Sequence, residues 1–319
     1  MAEDQLLEAF DSRVRQRSER REFFKVAIGA AAIGATALAI SERAFAQTVT
    51  DADILNFALN IKYLKAQFYA YAAGGAGIDT TLLGTSPGAV TATNARRVDN
   101  LDSDALVRDY AREMAADELA HVKFLRTQLG TSAVVQPAID ISATATSAFS
   151  TIARSAGLVG AGVAFDPYAS PQNFLLGAFV FEDLGVTAYK SAAPMILNRT
   201  YVEALAGIMA VEAYHAAIIR TTLYDRGATT PSLRTSAGAL SDARDSLDGT
   251  TTDLDQGIGP VTLNGGAASN VAPLDGDGLA FARSTGQVLN VLYLNSAAVS
   301  TGGFFPAGMN GNIKTSAAN

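Results

Sequence analysis

The sequence predicts an all-α fold: a bundle of four long helices with long connections and an irregular C-terminal tail. Three observations predict it. Apolar residues recur at three- and four-residue spacing through four long stretches. Those stretches open on capping residues or a first-turn proline and stop at glycine or proline. The 319-residue chain is 49% hydrophobic and only 17% charged, enough apolar surface for a large core.

The first helix is predicted from Asp51 to Ala73, with Ile54, Phe57, Ala58, Ile61, Leu64, Phe68 and Tyr71 at helical spacing. Thr50 or Asp51 caps its start, and Gly74-Gly75 ends it. A Gly/Ser/Thr/Pro loop then runs to about Asn100. Ser103 or Asp104 caps a second helix that ends at Gly130. A short helix is expected around Ala143–Ala156. Ser170-Pro171 opens the third long helix, with proline in its first turn, and Pro194 closes it. The fourth spans Arg199 to Arg226 and meets Gly227. Beyond 227 the chain turns rich in Gly, Asp, Ser and Thr and contains no Glu. One short helix is expected there, near Gln287–Leu294, in an extension lying against the bundle. The expected division is therefore an N-terminal signal over 1–46, the bundle over 47–226, and the extension over 227–319.

The first 46 residues read as an address. Arg20-Arg21 precede Phe23-Phe24-Lys25, then an apolar run from Val26 to Ile40, then Ala44-Phe45-Ala46. A charged segment, a short apolar core and a small-residue site make a signal peptide. The paired arginines resemble the twin-arginine (Tat) export signal. The expected location is the periplasm or outside the cell, with the Tat translocase as partner during export. The alternative is an N-terminal anchor that is never cut.

Composition narrows the chemistry. Twenty-four Lys and Arg stand against 31 Asp and Glu, a net charge of −7, which disfavours nucleic acid as a partner. The absence of Cys removes disulfides, thiolate nucleophiles and Cys-based metal sites. Asp275-Gly276-Asp277-Gly278 lacks the glutamate an EF-hand requires and reads as a turn. With two His, a metal site must lean on carboxylates.

Both histidines follow a glutamate by three residues: Glu118…His121 on the second helix and Glu212…His215 on the fourth. That spacing puts Glu and His on one helical face, where both can point at one ion. Glu182-Asp183 stands in the otherwise apolar Phe179–Leu184 of the third helix, where a carboxylate is costly to bury unpaired. Tyr69, Tyr110, Tyr189 and Tyr214 are candidates for the centre of the bundle.

These motifs resemble the exported ferritin-like family that includes desiccation- and stress-related proteins. The matching stretches are Asp53–Asn60, Asp117–His121, Phe181–Lys190 and Val211–His215, with Gln287–Asn290 and Gly302–Pro306 near the end. The resemblance implies a ferritin-like four-helix bundle and assigns Glu118, His121, Glu182, Glu212 and His215 as metal ligands. It also implies a glutamate in the middle of the first helix, and none is there. Ile61-Lys62-Tyr63-Leu64-Lys65-Ala66-Gln67 carries Lys at both candidate positions. Lys62 and Lys65 are thus candidate cations standing in for metal, or they point outward and snorkel.

Three states follow: a two-metal site, a single ion held by Glu118, His121, Glu212 and His215 with Glu182 nearby, or a metal-free core of Lys–carboxylate pairs. The cofactor is accordingly one or two ions of Fe or Mn, or none. The functions that correspond are envelope stress protection through residual metal binding or redox chemistry, and a metal-free structural or assembly protein of the envelope. The second would associate with itself or with envelope components. The residues leave catalysis open.

Overall fold

The computed structural model describes residues 49–319, apart from 250–252 and 264. The signal over 1–46 lies outside the described residues. Seven α-helices stand among them: α1 (Asp51–Gly74), α2 (Ala105–Leu129), α3 (Ala148–Ser155), α4 (Pro171–Ala192), α5 (Arg199–Arg226), α6 (Ser232–Asp248) and α7 (Thr285–Tyr293). Helices α1, α2, α4 and α5 form the bundle, with α1 packed chiefly on α2 and α4 on α5.

Local chemistry sets the ends of these helices. Thr50 and Asp53 form a capping box at the start of α1, and Gly75 ends it with φ 82°, a left-handed conformation that glycine adopts without strain. Asp104, Ser170 and Asn198 each accept a backbone N–H at the starts of α2, α4 and α5. Asn56 near the start of α1 bonds Ser132 just past the end of α2, so these two helices run in opposite directions. A short parallel pairing, β1 (Val90–Thr91) with β2 (Ile139–Asp140), joins the loops that follow α1 and α2.

Burial differs sharply between helices. Every side chain of α1 from Asp53 to Tyr69 is buried, and Asn60, Lys62 and Lys65 are fully so. Helices α2 and α5 bury one face each. The aromatic centre joins Phe68, Phe149, Phe174 and Phe181 to Phe304 of the C-terminal extension, with the Phe181 and Phe304 rings 4.8 Å apart.

The extension carries two helices rather than the one expected. Helix α6 escapes the sequence pattern because its buried apolar face is narrow (Leu233, Ala237, Leu240 and Ala243) in a stretch otherwise rich in Ser, Asp and Arg. It packs on α4, and buried ions fix it there. Asp183 of α4 accepts from Arg220 of α5 at 2.8 Å and from Arg244 of α6 at 3.0 Å. Asp255, in the loop after α6, accepts from Arg244 at 2.6 Å and 2.7 Å, Arg283 at 2.9 Å and Ser241 at 2.6 Å. Arg283 also pairs with Asp248. An antiparallel hairpin, β3 (Val261–Leu263) and β4 (Gly266–Ala268), follows on the surface. Farther on, Asn310 exchanges hydrogen bonds with Asn60, tying the C-terminal segment to α1.

Candidate metal centre

Four helices bring their polar side chains to one point inside the bundle. Lys62 and Lys65 come from α1, Glu118 from α2, Glu182 from α4, and Glu212 and His215 from α5. All six are buried. Ligand atoms of Glu118, Glu182, Glu212 and His215 lie within 4.8 Å of one another, a set of the type that holds a metal ion.

Two ammonium groups stand among these carboxylates. Lys62 Nζ lies 3.1 Å from Glu118 Oε1 and 3.0 Å from Oε2, and also donates to Glu212 Oε1. Lys65 Nζ lies 2.8 Å from Glu182 Oε2 and 2.9 Å from Glu118 Oε1, and donates to Glu212 Oε2. Tyr69 Oη donates to Glu182 Oε1. Neither lysine snorkels. Both lie on the span of α1 with no exposed side, and at full burial an ammonium needs anionic partners.

The electrostatics follow from this geometry. Burial by itself lowers the Lys65 pKa, but Glu118, Glu182 and Glu212 together hold it well above the usual value. Burial opposes ionisation of Glu212 as well; Lys62 and Lys65 overcome it and bring its pKa down. Glu182 is likewise lowered against its burial, by Lys65 and His215. Glu118 goes the other way: burial raises it despite both lysines. Burial pulls His215 down, yet Glu182 beside it lifts the imidazole to about 9. Its Nδ1 is 3.6 Å from Glu182 Oε2, and its Nε2 is 3.0 Å from Asp117 Oδ2.

The remaining predicted residues fall differently. His121 lies outside the converging set; burial and then the Lys62 charge push it down to about 3, so it is neutral, and its Nδ1 has no hydrogen-bond partner. Tyr69 and Tyr189 are buried at the centre, with Lys62 Nζ 5.4 Å from the Tyr189 ring centroid. Tyr110 is half-buried and Tyr214 is 70% exposed, because the face of α5 that carries Tyr214 points outward. An open groove lined by Tyr110, Asp117, Tyr214 and His215 runs between α2 and α5 and reaches the cluster at His215.

Gly185 is a residue the sequence reading missed. A Cβ at this position would stand 1.9 Å from Glu212 Oε2. The missing side chain on α4 therefore makes the space into which the Glu212 carboxylate reaches. The available signal was a glycine inside a helical pattern three residues after Glu182, where propensity alone would favour Ala.

Whether metals suit this donor set turns on the lone pairs. Each oxygen of Glu182 and Glu212 already faces an N–H or O–H donor, and both Glu118 oxygens lie within 3.1 Å of an ammonium. Three carboxylates thus share two lysine amines and the His215 imidazole. Two divalent ions would have to displace both ammoniums from the carboxylates that now compensate their burial. The donor types suit a metal; the resident lysines do not suit a pair of them.

An all-α bundle with inward-facing Glu on α2, α4 and α5 and an inward-facing His on α5 defines the ferritin-like class of protein. A ferritin-like domain matches residues 50–225, more than half of the chain, which belongs to that family. Two relatives are similar. A desiccation-related protein of Craterostigma plantagineum is 33% identical over 177 residues, covering 56% of this chain and 54% of the relative. A ferritin-like catalase of Nesocodon mauritianus is 27% identical over 275 residues, covering 82% and 84%. The chain thus spans about half the length of the desiccation-related relative and most of the catalase.

Proposed function

We propose that this is an exported ferritin-like protein of envelope stress protection whose core works without metal, the two lysines standing where a metal pair would be. The observation that carries this reading is the position of Lys62 and Lys65, buried among Glu118, Glu182 and Glu212. On this reading the protein acts through its folded surface, as a structural or protective element, rather than through redox turnover. The similarity to a desiccation-related protein supports the stress role, and the Arg20-Arg21 signal supports export to the periplasm or beyond. Replacing Arg20 and Arg21 together with Lys should leave the chain in the cytoplasm on cell fractionation.

A second reading has its own support. The ligand set of Glu118, Glu182, Glu212 and His215, and the alignment with a protein named a catalase, favour one Fe or Mn ion bound with a lysine displaced. Bound there, an ion would supply redox or Lewis-acid chemistry. The chain's own part would be to hold it with those four side chains, and to admit small molecules through the groove at His215.

Elemental analysis of the full chain soaked in Fe(II) or Mn(II) under reducing conditions separates the two readings. The metal-free reading expects less than about 0.1 ion per chain. Close to one ion per chain, with loss of binding in Glu212→Gln, would replace it with the second.

A further inference from the structure

The loop between α4 and α5 carries an exposure out of keeping with the rest of the molecule. Leu197 is 89% exposed, more than any other large apolar side chain among the described residues. Met195 is 43% exposed and Val49 44%. Between the two loop residues, Ile196 turns inward and is buried. Pro194 and the short 3-10 turn Ala193–Met195 lead into it. The loop therefore has one apolar side chain turned inward and two turned outward.

The same loop is stapled to the point where the preceding chain joins the bundle. The Asp51 carboxylate accepts the Leu197 N–H at 2.8 Å and the Asn198 N–H at 2.9 Å. Val49 is two residues before Asp51, and exposed Arg199 borders the patch. Only eight residues separate the apolar run Val26–Ile40 from Val49. Eight extended residues reach about 28 Å. While that run sits in a bilayer, this end of the bundle is held within reach of the membrane surface. Apolar side chains at a membrane surface, with a cation beside them, gain from burial at the headgroup boundary and from anionic lipid.

We propose that Val49, Met195 and Leu197, with Arg199 at the rim, form a seat for an anionic lipid surface at the end of the bundle where the N-terminal segment joins. The proposal rests on reading Val26–Ile40 as a segment that meets a membrane. Tryptophan fluorescence tests it cleanly, because the chain has no Trp. Leu197→Trp in the full chain is compared with Leu106→Trp near the opposite end, beside the Asp104–Arg226 pair. The probe is vesicles of equal parts phosphatidylcholine and phosphatidylglycerol, with and without acyl-chain bromination. The seat expects a blue shift and quenching for Leu197→Trp and neither for Leu106→Trp. It also expects Met195→Asp with Leu197→Asp to lower flotation with vesicles several-fold. Flotation with Leu197→Trp unquenched would mean the leader alone holds the chain, and overturns the seat. So would no flotation, or quenching of both reporters alike. Export failing in the Arg20/Arg21 variant is read separately by fractionation, so the two readings can fall independently.

Discussion

A lysine at 0% exposure is held in place by its partners. Lys65 faces three carboxylates and Lys62 two, and removing one ammonium leaves buried negative charge without compensation. Breaking a buried ion cluster in this way costs about 3–5 kcal/mol. Lys65→Met, close in length and uncharged, should lose that much in urea unfolding. A loss below about 1 kcal/mol would show that the carboxylates find protons or water instead. Gly185 gives a second test on the same carboxylate from the other side. Gly185→Ala places a methyl 1.9 Å from Glu212 Oε2, so Glu212 or α4 must move, and a clear drop in Tm is expected. Gly207→Ala on α5 meets nothing within 4 Å, and at a helix-interior site it should be neutral or stabilising by up to about 1 kcal/mol. The contrast separates crowding at the cluster from helix propensity.

The long helices were legible because propensity, caps and periodicity agree. Thr50, Asp104, Ser170-Pro171 and Gly75 mark boundaries that local chemistry alone imposes. Helix α6 was not legible, since its attachment depends on charges from elsewhere in the chain. Arg244 reaches Asp183 sixty-one residues away, and Arg283 reaches Asp255 across twenty-eight. No local pattern encodes pairs at such separation. The clamp has a pH signature. Burial opposes the Asp255 charge, but Arg244 and Arg283 bring its pKa down to about 2 from an ordinary 3.8. A depressed carboxylate contributes its stability fully above pH 3.8 and loses it as pH falls through 2. That contribution is about 2 kcal/mol. Asp255→Asn should lower stability at neutral pH and flatten its fall between pH 4 and pH 2. Limited proteolysis should then cut faster within 254–283, whose two ends the Asp255–Arg283 pair holds together.

At the scale of the whole molecule, the ferritin-like bundle and four of its converging side chains, Glu118, Glu182, Glu212 and His215, were readable from two Glu-x-x-His pairs and one buried Glu, whereas His121 of the first pair stands apart. The state of the site was not readable. Whether Lys62 and Lys65 snorkel or point inward depends on α1 being covered on all sides, and part of that cover comes from extension residues such as Asn310 and Asn312. The fate of the site is thus set by the whole fold. If the lysines are the cations the bundle needs, wild-type Tm should be indifferent to chelator and to added Fe(II) or Mn(II). Lys62→Glu with Lys65→Glu reverses the situation. It gathers five carboxylates around His215 and leaves no ammonium among them, a cluster that repels itself and destabilises the apo fold. Divalent ions would then compensate the cluster without the protonation it otherwise needs, and ligand linkage makes the outcome quantitative. An ion at a hundred times its dissociation constant stabilises the native state by about 2.7 kcal/mol per site. The double variant should therefore show a low apo Tm that climbs with added Fe(II) or Mn(II), falls back with chelator, and saturates near two ions per chain. A double variant with unchanged Tm and no metal uptake would mean the lysines do not act as stand-ins for metal.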